Sequence, residues 1–576
     1  MFRALRGQRP YILEVAPFFP PFQSVLKKIV QQLIATDRAR MLIDDCPDLE
    51  PIKEYYPEVY MYDIFAKAEE WMDANYRFAD AHRMAGHYDM AYKHAVCCHI
   101  GNFQTLILMI RSVQVRLGGS NVLFHGLTPD LAGMYEAYFD EPIREPVRVA
   151  CKSRHLINFL ISFSVIGHTV VWILMRTRLR VLSEAYFLAV DYVSDARDLR
   201  LINELSTDEK VLIVLRNTSV YGQMFLDSIK APHTVCDQHA GRFSVGQAIM
   251  TTGMVIRDEV RLLFQLGWLE PHMFFTAAAL PKKRVMMRGL FIQYRPKFFW
   301  GRDESNSEHA VRRQELQRVG AKSFGVQHGS PTHAIVQPMW RYISLDVFYV
   351  FGRLVYDRHY RRTWAKDMTV KAVGSFGTRR EDYAMVGRER RRDILVMISL
   401  YYRNNLVVET VRQLAEAFPD RKILLQIKPR FRDTDIGREF IEKCTDGLSN
   451  VDTVDAMIMD LFAQVQYAFS DPSTTVVEAI QFGLNSYFLD MSPDHKACIY
   501  REFPSLCINT PDEAVETIKQ LESGVSTYPR AEFSGLVETE TVIFHDVVRS
   551  DMDLQPRSTY FKAALLNEPC NDYENS

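Results

Sequence analysis

The chain is poor in cysteine, nearly neutral overall and free of internal repeats. Nine cysteines in 576 residues, an odd number without framework spacing, exclude a disulfide-built scaffold and suit a reducing compartment. A formal charge of −2 removes the bulk electrostatic reason for binding nucleic acid. The 35 Phe and 27 Tyr are scattered, as core packing requires, instead of being gathered into a base-stacking platform. The first ten residues hold no apolar run leading to a small-residue cleavage site, so secretion is not expected. Two clusters, His94/Cys97/Cys98/His99 and His233/Cys236/His239, lack the paired spacing of a structural zinc site. Neither a metal nor a cofactor is expected.

Long apolar runs are also scarce, and residues 156–175 form the one that needs weighing. About twenty such residues would reach across a bilayer. Asn158 and His168 oppose insertion, while Lys152, Arg154, Arg176, Arg178 and Arg180 flank the run. The expectation is a buried or interfacial helix in a cytoplasmic protein, with peripheral contact between the basic flanks and the cytoplasmic face of the inner membrane.

What the chain does contain is β-α alternation. Strand-like runs at 11–15, 41–43, 59–62 and 121–124 are separated by helical segments, one at 22–34 and a longer insertion at 64–115. Residues 210–215 and 289–293 read as further strands, and runs at 322–327, 346–351, 369–373, 393–398 and 423–427 have the spacing of a doubly wound sheet. The fold class expected is α/β with two Rossmann-like lobes, the N-terminal lobe carrying extra helices. The lobes are placed at 1–295 and 296–550, with a polar tail at 551–576.

Residues 470–483, SDPSTTVVEAIQFG, carry the strongest local signal. A buried strand breaks at Asp471-Pro472 and a helix opens on Ser473, Thr474 and Thr475. Hydroxyls and first-turn N–H groups together suit a diphosphate. Glu478 either closes a capping box with Thr475 or contacts a ribose. Upstream, residues 325–331, GVQHGSP, end a strand on Gln327-His328-Gly329. Gly329 permits close approach to a ligand, and His328, titrating near neutrality, is either a general acid/base or a structural histidine.

The order of these elements resembles the C-terminal half of bacterial surface-polysaccharide transferases of the GT-B type, over about residues 322–490. The resemblance runs through Gln327-His328-Gly329, Phe351-Gly352, Gly374-Ser375, Ser470-Asp471, Ser473-Thr474 and Glu478-Ala479. It implies a glycosyltransferase using a nucleotide-activated sugar donor and a polysaccharide or lipid-linked acceptor. It implies donor-binding roles for Gln327, Gly329, Gly374, Ser375, Lys428, Ser473, Thr474, Thr475 and Glu478, with His328 and Arg430 catalytic. The family's Lys-Pro-His-Pro is here Lys428-Pro429-Arg430-Phe431. A fixed cation therefore replaces a histidine, keeping charge and losing proton transfer. The alternative to His328 is an acceptor base in the first lobe, at Glu14, Asp44, Asp45 or His125. Competing expectations are a CDP-glycerol-type glycerophosphotransferase, a nucleotide-sugar 2-epimerase and a non-catalytic membrane-surface scaffold.

Overall fold

The computed structural model describes residues 11–14, 40–41, 69–100, 107, 122–125, 129–140, 153–191, 196–206, 208–215, 226–301, 308–327, 329, 340–376, 378, 383, 392–399, 401–402, 404–491, 498–538 and 542–554. A small parallel sheet has strand β1 (Tyr11–Glu14) between β2 (Arg40–Met41) and β3 (Val122–His125). The expected helix at 22–34 and strand at 59–62 lie outside the described residues.

A seven-stranded sheet follows, built from β4 (Glu184–Val190), β5 (Val211–Leu215), β6 (His233–Asp237), β7 (Tyr294–Gly301), β8 (Lys322–Val326), β9 (Val347–Val350) and β10 (Thr369–Ala372). Every pair is parallel, in the order β6-β5-β4-β7-β8-β9-β10. Counted along the chain this is 3-2-1-4 and onward, the doubly wound Rossmann order. Five helices accompany it: α1 (Arg154–Arg176), α2 (Ala196–Leu205), α3 (Val245–Leu266), α4 (Pro271–Gln293) and α5 (His309–Arg318). Leu201, Ile202 and Leu205 of α2 pack with Leu188 and Val190 on one face. Met287, Leu290 and Phe291 of α4 and Leu316 of α5 cover Ala189 and Phe299 on the other. Both faces are thus apolar, which is why these strands read as near-continuous hydrophobic runs.

The expected lobe boundary at 295/296 needs correction, because it falls inside β7, in the middle of this sheet. Strands β8 to β10, assigned from sequence to the second lobe, extend the first. Hydrophobic pattern identifies a strand without naming its neighbour, so the division between sheets, after Ala372 and before Ile394, is invisible to it.

The third sheet comprises β11 (Ile394–Ile398), β12 (Ile423–Ile427), β13 (Val451–Thr453), β14 (Tyr467–Ser470), β15 (Asn485–Leu489) and β16 (Cys507–Ile508). Its order, β13-β12-β11-β14-β15-β16, is again 3-2-1-4-5-6 and wholly parallel. Helix α6 (Asn405–Ala417) shows how sequence dictates the local structure. Asn404 accepts from Leu406 N at 3.0 Å as its cap, and Val407, Val411, Leu414 and Ala415 form the buried stripe. Helix α7 (Thr475–Gln481) joins the two lobes: its Val476, Val477 and Ile480 share one core with Phe348 and Val350 of β9 and Phe488 of β15. The closing helix α8 (Phe544–Asp551) crosses back to the first lobe. There Phe544 and Val548 pack with Val190 and Trp300, Tyr349 donates to Asp551 at 2.8 Å, and Lys371 pairs with the same carboxylate.

Candidate functional site

Strands β11 and β14 are the neighbours at which strand order reverses in the second lobe, so the loops leaving their carboxyl ends diverge and open a crevice. A cavity of about 250 Å³ lies there, lined by Ser399, Lys428, Ser470, Ser473 and Thr475, with Met397, Ile398 and Ile458 behind them. Ser473, Thr474 and Thr475 are all partly exposed, and Lys428 is exposed. The hydroxyl trio expected from the sequence therefore stands at an open crevice, beside a lysine ammonium. Lys428 N donates to Ile398 O at 3.0 Å, which holds this lip to the end of β11.

Asp471 fixes the opposite lip. Its buried carboxylate accepts from Ser399 N at 2.8 Å, Ser399 Oγ at 2.9 Å and Tyr401 N at 3.1 Å. Burial, and then the nearby Asp471 charge, push the Tyr401 phenol well above its ordinary value, so it stays protonated. Tyr500 OH donates to Ser473 O at 2.9 Å, and Ser470 Oγ lies 2.9 Å from Thr475 Oγ1. The floor of the cavity is thereby rigid.

The first lobe closes over the start of α7 through two turns at the carboxyl ends of its strands. After β8, a Cβ added at Gly329 would stand 2.7 Å from Thr474 Oγ1. Only glycine lets that turn come so near the hydroxyl without displacing it. After β10, Gly374 takes φ +70°, and a Cβ there would meet the Gln481 amide at 2.1 Å. Ser375 N donates to Gln481 Oε1 at 2.7 Å, and Ser375 Oγ donates to Glu478 Oε1 at 2.6 Å. Gln327, 4 % exposed, donates from its backbone N to Tyr349 O and accepts from Phe351 N at its side chain. It braces β8 against β9.

The expected residues thus fall into groups. Ser473, Thr475 and Lys428 line the cavity, while Thr474 and Gly329 meet where the lobes touch. Ser375, Gly374 and Glu478 form a buried tie between lobes. The capping-box reading of Glu478 does not hold: Thr474 caps α7 with no side-chain hydrogen bond, and the Glu478 carboxylate accepts from Ser375 Oγ. Arg430 lies in the short helix Pro429–Arg432 that starts beside the cavity. His328 lies outside the described residues, between Gln327 and Gly329. Of the acceptor-base candidates, Glu14 and His125 occupy paired register positions at the ends of β1 and β3, and Asp44 and Asp45 lie outside the described residues. Sequence pattern marks Asp471 only as a strand break and a residue of the resemblance, and points to no role for Ser399, Gln481 or Tyr500. Asp471 directly after a buried strand was the one available signal.

Two other places carry less. At the corresponding reversal in the first lobe, between β4 and β7, the buried Asp191 is paired with the buried Arg312, whose guanidinium also lies 4.6 Å from the Phe299 ring centre. A broad depression between α6 and helix Pro511–Glu522 is lined by Glu416, Asp512, Glu513 and Glu516 against Lys519 alone. That field repels a diphosphate.

Two doubly wound lobes meeting at a crevice, with the closing helix returned to the first lobe, constitute a GT-B-type arrangement. Solved structures similar to this chain include the UDP-GlcNAc 2-epimerase of Neisseria meningitidis bound to UDP-GlcNAc, at 8% identity and TM-score 0.37, covering 64% of this chain and 99% of that one. MurG of Acinetobacter baumannii is similar at 9% identity and TM-score 0.34, over 64% and 98% of the two chains. The wall teichoic acid polymerase TagF is similar at 9% identity and TM-score 0.38, over 70% and 97%. At these scores the fold assignment rests on strand order in the two sheets and not on the superpositions. No family model and no curated protein matches the chain in sequence.

Proposed function

We propose that the protein is a glycosyltransferase that moves a sugar from a nucleotide-sugar donor to a surface polysaccharide or lipid-linked acceptor. The observation that supports this reading best is the second-lobe cavity, where Ser473 and Thr475 hydroxyls, the start of α7 and Lys428 converge beneath the first-lobe turn at Gly329. A departing nucleoside diphosphate needs donors and a cation positioned before reaction, in a crevice that excludes water. In this proposal Ser473, Thr474 and Thr475 hold the diphosphate while Lys428 and Arg430 neutralise it. Gly329, Gly374 and Ser375 shape the crevice from the first lobe. His328, which precedes Gly329 in the chain, orients or deprotonates the acceptor hydroxyl.

The test is calorimetric titration with UDP, CDP, UDP-sugars and CDP-glycerol. Ser473→Ala combined with Thr474→Ala is expected to weaken the preferred nucleotide about thirtyfold, since each of the two lost hydroxyl bonds contributes about 1 kcal/mol. Equal affinity for every nucleotide in wild type and variant would defeat the reading. Preference for CDP-glycerol over every UDP-sugar would move the activity to glycerophosphate transfer. His328→Ala is expected to lower turnover more than donor affinity, and an unchanged rate would reduce His328 to a structural role.

A further inference from the structure

Helices α1 and α3 lie antiparallel, burying several polar groups while leaving large apolar side chains exposed. Asn158 Nδ2 near the start of α1 donates to Gly267 O and Leu269 O beyond the end of α3, both at 2.9 Å. At the other end Thr177 pairs with Phe243. The seam between the helices buries polar groups, among them Asn158, Ser162, Thr169, Thr251 and Glu259. The outward side, beside the exposed Ser164, His168 and Gln265, carries large apolar side chains: Leu160, Phe163 and Leu174 of α1 and Ile249, Met250 and Phe264 of α3 are all more than half exposed, Phe163 at 69 % and Phe264 at 82 %. A helix pair facing water would carry the opposite pattern.

The exposed charges of this helix pair are mostly cationic, with Arg154 3.7 Å from Glu270 and Arg257 2.9 Å from Asp258. Residues 153–183 contain Arg154, Arg176, Arg178 and Arg180 and no aspartate or glutamate. On α3 the two carboxylates, Asp258 and Glu259, point inward and are buried, while Arg257 and Arg261 are exposed. Arg242 is exposed beside Phe243, at the end of the pair where Arg176, Arg178 and Arg180 cluster. Just beyond α1, Leu179 and Leu182 are 91 % and 88 % exposed.

We infer that the α1–α3 face docks on an anionic lipid bilayer, lying in the interface with its Phe and Leu side chains among the acyl chains and its arginines at the headgroups. Length and composition alone would let α1 cross a membrane. Its packing does not. Ile161 and Val165 of α1 share one core with Met72 and Tyr92 before it and Leu262, Phe274 and Tyr342 after it, so the chain on both sides of α1 belongs to one body. The excess of exposed arginines, among them Arg178, Arg180, Arg242 and Arg261, selects an anionic surface over a second copy of this face, which would set like charges together. Docking is a property separate from donor binding and stands or falls independently of it.

The test is co-sedimentation of the full chain with vesicles of phosphatidylcholine containing phosphatidylglycerol, and with phosphatidylcholine alone. Wild type is expected to partition onto the anionic vesicles and to be released by salt. Phe163→Ser combined with Phe264→Ser, two exposed positions, is expected to cut partitioning at least about tenfold, with an unchanged circular dichroism spectrum and melting point. Arg178→Gln with Arg180→Gln is expected to remove most of the preference for the anionic vesicles. Unchanged partitioning in the Phe variant would overturn the inference. So would lipid-free hydrogen exchange showing this face already covered by the chain's own residues, or sedimentation velocity showing that the Phe variant splits a dimer.

Discussion

Ser375 Oγ donates to Glu478 Oε1 at 2.6 Å, across the boundary between two sheets that share no strand. Ser375 is fully buried and Glu478 nearly so. The bond therefore ties the turn after β10 to the first turns of α7, beside the second tie from Ser375 N to Gln481. Ser375→Ala removes a buried donor from a carboxylate and is expected to destabilise the protein by about 1–3 kcal/mol. Glu478→Gln keeps an acceptor of the same shape and is expected to cost less. Urea unfolding measures both. Were Glu478 a ribose ligand instead, Glu478→Gln would weaken nucleotide binding while leaving the unfolding midpoint where it was.

A second consequence follows from the approach of Gly329 to Thr474. A methyl group at position 329 meets the Thr474 hydroxyl at 2.7 Å, and the next Thr474 atom is 4.0 Å away. Gly329→Ala must therefore rotate or push that hydroxyl, at an overpacking cost of about 1 kcal/mol. In the Thr474→Ala background the obstructing atom is gone, so the same substitution is expected to be nearly neutral. A double-mutant cycle on thermal unfolding reads the coupling. Additive effects would mean that the two residues do not touch.

These two contacts mark how far the sequence could be read. The α/β class and the two doubly wound lobes were legible, because strands buried on both faces, such as the fully apolar 394–398, announce themselves by composition. The Ser473 to Thr475 start of α7 was legible as well, since hydroxyls after Asp471-Pro472 are a local signal. Partnership was not legible. Nothing in residues 322–326 says that β8 pairs with β7 at 294–301 instead of joining a new sheet, and nothing local to Glu478 points to a serine 103 positions upstream. Likewise the run at 156–175 reads as apolar in sequence, while only the fold shows that Asn158, Ser162 and Thr169 face inward.

Asp471 offers the sharpest test of whether the cavity is built or incidental. Its carboxylate accepts two backbone N–H groups and one hydroxyl from the loop after β11. Asp471→Asn removes the charge that strengthens those bonds and turns an amide donor toward groups that are themselves donors. A loss of about 2–3 kcal/mol is expected. Hydrogen exchange should speed up at residues 399 and 401 first, with nucleotide affinity falling in parallel. Loss of stability without any change in nucleotide affinity would show that this lip does not shape the binding cavity.

Glu259 couples the helix pair to pH. It is fully buried between α3 and α1, where Ser162 Oγ donates to Oε2 at 3.4 Å and Oε1 has no hydrogen-bond partner among the described residues. Burial pushes its carboxyl up to about 9, with Ser162 opposing and the Asp258 charge adding. The native chain therefore holds a proton that the unfolded chain releases once the pH exceeds an ordinary glutamate value near 4.5. Stability falls as pH rises from that value toward 9, with a slope from this one group of at most about 1.4 kcal/mol per pH unit. Below pH 4.5 both states are protonated and the contribution is flat. Glu259→Gln keeps the shape and cannot ionise, so its unfolding free energy should gain on that of wild type by at least about 2 kcal/mol between pH 5 and pH 8, as guanidinium titrations at both values would show. Parallel curves for the two proteins would mean that water reaches the carboxylate and that the seam holding α1 to α3 is wet.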